Sequence, residues 1–152
     1  MPPASCSSLQ SWPRPLAKPI ICFLFTLVAL TNIVFSQSHN HVVGGWIWSI
    51  PISDDFYTNW SGNQSFFAGD SLIFRFETGM SDVVQVSRRE FESCSSDNAF
   101  RSFDLGPATV SLVEEGVLYF ICSYGNHCFL GQKVSVQAQR RPPPPPPPPP
   151  PA

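Results

Sequence analysis

Apolar and polar side chains alternate in several short runs between residues 71 and 137. Five runs follow this period of two, at residues 71–76, 83–86, 109–113, 117–122 and 133–137. Because successive side chains of a β-strand point to opposite faces, each run predicts a strand with one buried face. Turn-forming residues rich in glycine separate the runs. Many short strands at this spacing predict an all-β fold, an antiparallel β-sandwich.

One segment departs from the alternation. Residues 87–93, with the sequence SRREFES, are the only stretch that predicts a short helix. Large aromatic side chains are expected to pack in the core rather than to act as docking residues. These aromatic residues are Trp46, Trp48, Trp60, Phe74, Phe76, Phe103 and Phe120.

The longest apolar run lies near the start of the chain, at residues 20–35, with Arg14 and Lys18 just ahead of it. A basic flank followed by an apolar stretch and then small side chains is typical of a secretory signal peptide. Residues 1–36 are therefore predicted to be a signal peptide that is cleaved after Ser36. The alternative is a membrane anchor, which needs about 20 uninterrupted apolar residues. The pair Thr31–Asn32 interrupts this run.

The other end of the chain is a run of ten prolines from Pro142 to Pro151. Proline has no amide hydrogen and a fixed φ, so such a run predicts an extended polyproline II rod, here a stiff spacer over residues 142–152. No hydrophobic segment follows the prolines. We therefore expect membrane association only through a lipid anchor that this chain does not encode.

Removal of both ends leaves one predicted domain at residues 37–141. The whole chain has a net charge of −2 and no concentrated basic face, so its composition gives no reason to expect nucleic-acid binding. Two N-glycosylation sequons, at Asn59 and Asn63, are expected to lie on one loop and to carry glycans after export.

Cysteine usage points to chemistry in the second half of the domain. Cys6 and Cys22 leave with the predicted signal peptide, and Cys94, Cys122 and Cys128 remain. In an oxidising compartment two of the three should pair, and three pairings are possible. The third cysteine is then a buried free thiol, an intermolecular bridge or a metal ligand.

The surroundings of Cys122 favour a metal ligand. Cys122, His127 and Gln132 are spaced five residues apart across a predicted strand, turn and strand. This arrangement can direct a thiolate, an imidazole and an amide oxygen at one point. A thiolate, imidazole nitrogens and a weak axial methionine or glutamine are the donors of a blue-copper site.

On these residues the domain resembles the plant phytocyanins, the family of stellacyanins, uclacyanins, plantacyanins and early nodulin-like proteins. The matching segments are residues 43–46, Trp60, residues 67–74, residues 83–86, Cys94 and residues 122–132. The resemblance implies a cupredoxin-type Greek-key β-sandwich with one disulfide, Cys94–Cys128. It also implies one copper ion, with a thiolate ligand at Cys122, an imidazole ligand at His127 and an axial ligand at Gln132.

One position departs from the family. Copper-binding phytocyanins have a further histidine ligand on a separate strand, and Ser81 stands in its place here. A hydroxyl stays protonated at neutral pH and is a hard donor, so it is a poor ligand for copper. One alternative is that the other three residues hold copper with water in the open position. His39, His41 or Met80 are further candidates for that position, although the Met80 side chain should face away from it. Otherwise the site is vestigial.

Two functions follow from these alternatives. The first is a secreted one-electron carrier with an unknown redox partner, and the second is a copper-free binding or structural module of the cell wall or the outer face of the plasma membrane. Both predict a monomer that is not an enzyme. A hydrolase built on Cys122 and His127 lacks an oxyanion loop and an acid partner. A zinc site would require Cys94 and Cys128 as well, and export favours their oxidation.

Overall fold

Residues 37–143 are described by a computed structural model, and the alternating runs of the sequence form strands in it. Residues 1–36 and 144–152 lie outside the described residues, and with them the predicted signal peptide and most of the proline tail. In chain order the elements are β1 (Asn40–Val42), α1 (Phe56–Gly62), β2 (Phe66–Phe67), β3 (Ser71–Phe74), β4 (Val83–Val86), α2 (Arg88–Ser93), β5 (Arg101–Phe103), β6 (Ala108–Ser111), β7 (Gly116–Ile121) and β8 (Lys133–Gln139). Among the described residues no helix is long and apolar enough to cross a bilayer.

The strands form two sheets. One has three strands in the order β1–β3–β6, and the other has five in the order β2–β8–β7–β4–β5. All pairs along β8–β7–β4–β5 and the pair β3–β6 are antiparallel, whereas β1–β3 and β2–β8 are parallel. The predicted all-β fold of two sheets is therefore confirmed.

The core lies between the two sheets. Leu72 and Phe74 of β3 are completely buried and belong to the same cluster as Val83, Phe120 and Val134 of the larger sheet. Each of these side chains comes from one face of its strand, as the period of two predicts. Burial of a large apolar side chain stabilises the fold by roughly 1.5–3 kcal/mol.

A second apolar cluster covers the outer face of the larger sheet. Val84, Val86 and Ile121 pack there against Phe91 of α2. Helix α2 matches the predicted short helix, and a capping box starts it: Ser87 accepts the Glu90 N–H, and the Glu90 carboxylate accepts the Ser87 N–H. Such a cap satisfies two N–H groups that a helix start otherwise leaves unpaired.

Three expectations from the sequence are wrong. Residues 87–93 are not the only helix, because α1 also forms, with Tyr57 as its buried residue. Asn59 lies within α1 and Asn63 caps its C-terminal end, so the two sequons do not share a loop. Trp46 is 75% exposed and does not pack in the core.

Asp70 connects the two ends of the described chain. Its side chain is 1% exposed and accepts hydrogen bonds from the backbone N–H groups of His39 at 2.9 Å and Phe67 at 3.0 Å. Nε2 of His41 lies 3.1 Å from its Oδ2, and the guanidinium of Arg141 donates to its Oδ1. We call this group of residues the Asp70 clasp.

The clasp favours the ionised form of its central carboxyl group. Burial alone would raise the pKa of Asp70, but the backbone donors, His41 and Arg141 together outweigh it and lower the pKa below the usual value. A lowered pKa in the folded state means that the carboxylate stabilises the fold above its unfolded pKa of about 3.9. That contribution is lost as the pH falls through the folded pKa.

We expect Asp70→Asn to lower the free energy of unfolding at pH 7 by roughly 3 kcal/mol, because the buried donors lose a charged acceptor. The difference from the wild type should shrink as the pH falls from about 4, the unfolded pKa, through the lowered folded pKa, because the protonated carboxyl group no longer favours the folded state. Urea unfolding at pH 7 and at a series of lower pH values measures this difference.

Glu115→Gln is the matched control. Glu115 also pairs with an arginine, Arg140, at 2.7 Å, but the side chains are 55% and 82% exposed. An exposed pair is worth at most about 1 kcal/mol, so this variant should be nearly as stable as the wild type. Equal stability of the two variants at pH 7 would contradict the role given to Asp70.

Candidate metal centre

The candidate centre lies where β7 ends and β8 begins. Cys122 follows β7 directly and Gln132 directly precedes β8. The N–H of Cys122 donates to the carbonyl oxygen of Gln132 at 3.0 Å, and the N–H of Gln132 donates to the carbonyl oxygen of His127 at 3.0 Å. The β-ladder therefore closes the loop between the strands. Backbone hydrogen bonds place Cys122 and His127 each next to Gln132.

The loop is held from outside as well. Cys128 forms a disulfide with Cys94, which caps the C-terminal end of α2. Gly131 has a φ of +94°, and a Cβ atom there would lie 2.9 Å from Cγ of Pro51, so the position requires glycine. The expected disulfide is therefore formed. It uses two of the thiols that the alternative zinc site would need.

The side chains of Cys122 and His127 meet at the centre. Sγ of Cys122 lies 3.6 Å from Nδ1 of His127, and Cys122 is only 1% exposed. A metal bound by a thiolate at about 2.3 Å and an imidazole at about 2.0 Å in tetrahedral geometry separates sulfur and nitrogen by about 3.5 Å. The two donors thus fit a single metal ion between them.

Gln132 supplies the third donor group and Ser81 lies beside it. Gln132 is completely buried, and its Nε2 donates a hydrogen bond to Oγ of Ser81 at 3.1 Å. Its Oε1 is buried and has no hydrogen-bond partner among the described residues. An unpaired buried oxygen is costly, and a metal ion is one group that can satisfy it. The donor set therefore fits a thiolate–imidazole–amide site.

Asp82 fixes the segment between Ser81 and β4, and the sequence pattern did not predict a role for this residue. Its carboxylate accepts the N–H of Ser123 at 2.7 Å and also the Ser123 hydroxyl. Its carbonyl oxygen accepts the indole N–H of Trp48 at 2.8 Å. Asp82 is 2% exposed. A signal was present, since an acidic residue directly precedes the apolar strand Val83–Val86.

The environment of Cys122 favours the protonated thiol. Burial raises the pKa of Cys122, and the carboxylate of Asp82 adds to the shift. A metal must therefore displace a proton in order to bind to this sulfur.

Two of the other candidates to replace the missing histidine ligand, His41 and Met80, have side chains in other environments. His41 belongs to β1 rather than preceding it, and its two ring nitrogens contact Asp70 and Gln64. Met80 is 65% exposed whereas Ser81 is 5% exposed, so their side chains face opposite ways as expected. Within residues 37–143, no three side chains of His, Cys, Asp and Glu are grouped to hold a metal ion.

Comparisons with known proteins show which family the chain resembles. A family model described as a plastocyanin-like domain matches residues 48–132. A blue copper protein of Arabidopsis thaliana is 36% identical over 110 residues, which cover 72% of this chain and 56% of that protein. Early nodulin-like protein 14 of the same plant is 33% identical over 117 residues, which cover 76% of this chain and 61% of that protein. The chain thus spans less than two thirds of both relatives.

A solved structure gives the same result. Cucumber stellacyanin with Cu²⁺ superposes with a TM-score of 0.64 and 35% sequence identity, covering 69% of this chain and 98% of that chain. The similarity therefore extends over nearly the whole of a solved cupredoxin.

We expect the thiol of Cys122 to react slowly with alkylating reagents in the folded, metal-free protein, at least about 100-fold more slowly than after unfolding. The reasons are its burial and its raised pKa, since only an accessible thiolate attacks. Timed alkylation at pH 7, with peptide mapping of Cys122, measures the rate. The same reaction in guanidinium chloride is the reference, and equal rates would contradict the buried position.

Proposed function

This chain belongs to the plastocyanin-like domain family, within the phytocyanins, and from that premise we propose that it is a blue-copper-type protein that carries single electrons. The supporting observation is the contact between the buried Cys122 and the partly buried His127, with Sγ and Nδ1 3.6 Å apart, in a loop closed by Gln132. These three residues would hold one copper ion.

Copper bound to these donors would supply a one-electron couple between Cu(II) and Cu(I). The protein contributes a rigid setting. The β7–β8 ladder fixes Cys122 and Gln132, and the Cys94–Cys128 disulfide holds the loop that carries His127. A rigid set of ligands changes little between two oxidation states, which favours rapid electron exchange.

Ser81 makes the proposed site incomplete. It occupies the position of the second imidazole in copper-binding phytocyanins, and its hydroxyl remains protonated at neutral pH. The fourth position would then be taken by water, which makes the centre weaker and more exposed than one with four protein ligands.

The proposed carrier acts outside the cell as a secreted monomer, in the wall or at the outer face of the plasma membrane. Its redox partner is unidentified, and nucleic acid is not among the proposed partners. Phe129 and Leu130 are 71% and 44% exposed in the loop that carries His127. These side chains offer an apolar contact for a redox partner close to the proposed copper ion.

Two glycans belong to the same proposal. Asn59 and Asn63 are both exposed, so either side chain is accessible on the folded surface. Asn59 lies within α1 and Asn63 at its C-terminal end, so the proposed glycans would extend from this helix.

Titration of the protein with Cu(II), followed by visible absorbance, tests the electron carrier. We expect an intense thiolate-to-copper charge-transfer band that is lost in Cys122→Ser, because that variant removes the sulfur donor. The Ser81→His variant should bind copper more tightly, because it restores the second imidazole.

Cys122→Ser is also the control for adventitious binding, since His39 and His41 remain in it. A band of equal intensity in wild type and Cys122→Ser would contradict the proposed site. A band only in Ser81→His would mean that the fold retains the site but that Ser81 has abolished copper binding in the natural chain.

That last outcome would favour the alternative function, a copper-free binding or structural module. The specific observation in its favour is Ser81 itself, which leaves only one histidine beside Cys122. The similarity to early nodulin-like proteins supports this alternative as well as the similarity to blue copper proteins supports the electron carrier. In such a module the sandwich would present its loops and glycans to a wall component.

A further inference from the structure

We propose that Ser81 is a positioning residue, which holds the carboxamide of Gln132 so that its oxygen, and not its nitrogen, is available to the metal. The inference deepens the proposed function and rests on it, because it assigns a role in the copper site to the residue that replaces a ligand. It starts from two observations: the hydrogen bond from Gln132 Nε2 to Ser81 Oγ, and the lack of any hydrogen-bond partner for Gln132 Oε1 among residues 37–143.

Ser81 is a fixed acceptor. It is 5% exposed, and it forms an isolated β-bridge with Thr78 on one side. On the other side, its neighbour Asp82 is held by Ser123 and by the indole of Trp48. With its backbone held on both sides, the Ser81 hydroxyl has little freedom to move away from Gln132.

The planarity of the amide transmits this constraint. Nε2 and Oε1 are attached to the same carbon in one plane, so an anchored nitrogen turns the oxygen to the opposite side of the group. Gln132 is completely buried, so solvent offers its amide no alternative hydrogen bond in another rotamer. A hydrogen bond of 3.1 Å to the nitrogen is therefore enough to define where the oxygen lies.

The chemistry of the amide makes this orientation matter. The oxygen carries the available lone pairs, whereas the amide nitrogen is a hydrogen-bond donor only. A buried oxygen without a partner is unfavourable in the metal-free protein, and a cation removes that cost when it binds. Ser81 would thus keep the third ligand ready, although its own short side chain is a poor ligand.

A double-mutant cycle tests the proposal. Ser81→Ala should weaken Cu(II) binding by about 10- to 100-fold, the usual effect of removing a group that orients a ligand. Ser81→Thr keeps the hydroxyl and should retain most of the affinity. In a Gln132→Met background the ligand has no amide to orient, so Ser81→Ala should leave the affinity unchanged.

Two results of the cycle would overturn the proposal. The first is an unchanged affinity in Ser81→Ala alone. The second is an equal loss in both backgrounds, because Ser81 would then act as a ligand itself or through the fold. Thermal unfolding of each metal-free variant separates a loss of binding from a loss of folded protein.

A measurement without metal separates this proposal from the proposed function. Hydrogen exchange of the Gln132 side-chain amide, followed by ¹⁵N NMR, should be slow in the wild type and faster in Ser81→Ala. If no variant binds copper, the proposed function fails, and the exchange rates alone decide the role of Ser81. Equal exchange in both proteins would overturn it.

Discussion

Antiparallel pairing between β7 and β8 brings Cys122 and Gln132 opposite each other, and the rest of the candidate centre depends on that pairing. The ladder ends with Ile121 opposite Lys133, so the next residue on each strand enters the loop. His127 lies within the closed loop and can reach Cys122 only because both ends of the loop are fixed. The site is thus specified by strand register, which the buried alternation of the two strands enforces.

The candidate centre contains buried polar groups whose environment is energetically unfavourable in the metal-free protein. The Gln132 oxygen has no hydrogen-bond partner among the described residues, and burial together with the Asp82 carboxylate raises the pKa of the Cys122 thiol. An unpaired buried polar atom costs roughly 1–3 kcal/mol. The large core between the sheets and the outer cluster beneath α2 supply the stability that tolerates this cost.

The sequence predicted the strands that show a clear period of two. It did not predict the elements whose structure depends on tertiary contacts. Strands β3, β4, β6, β7 and β8 each correspond to an alternating run, and Ser87 to Glu90 carries a recognisable helix cap. Strands β1, β2 and β5 have two or three residues, too few to show a period. Helix α1 includes the sequon at Asn59, a pattern more typical of a loop, and its buried Tyr57 donates a hydrogen bond to the carbonyl oxygen of Ser49. The spacing of Cys122, His127 and Gln132 predicted that they would meet, but nothing local indicated that Ser81 contacts Gln132.

The Asp70 clasp anchors the C-terminal end of the described chain to one end of the larger sheet. Arg141 joins Asp70 beside the end of the sheet where Gly116 pairs with Ala138, whereas the Cys122 loop lies at the opposite end of β7, roughly 17 Å away at 3.4 Å per residue. Arg141 therefore anchors the C-terminal end of the described chain at the end of β7 opposite the Cys122 loop. A force applied at Arg141 would act first on its hydrogen bond to the buried Asp70 carboxylate and only then on β8.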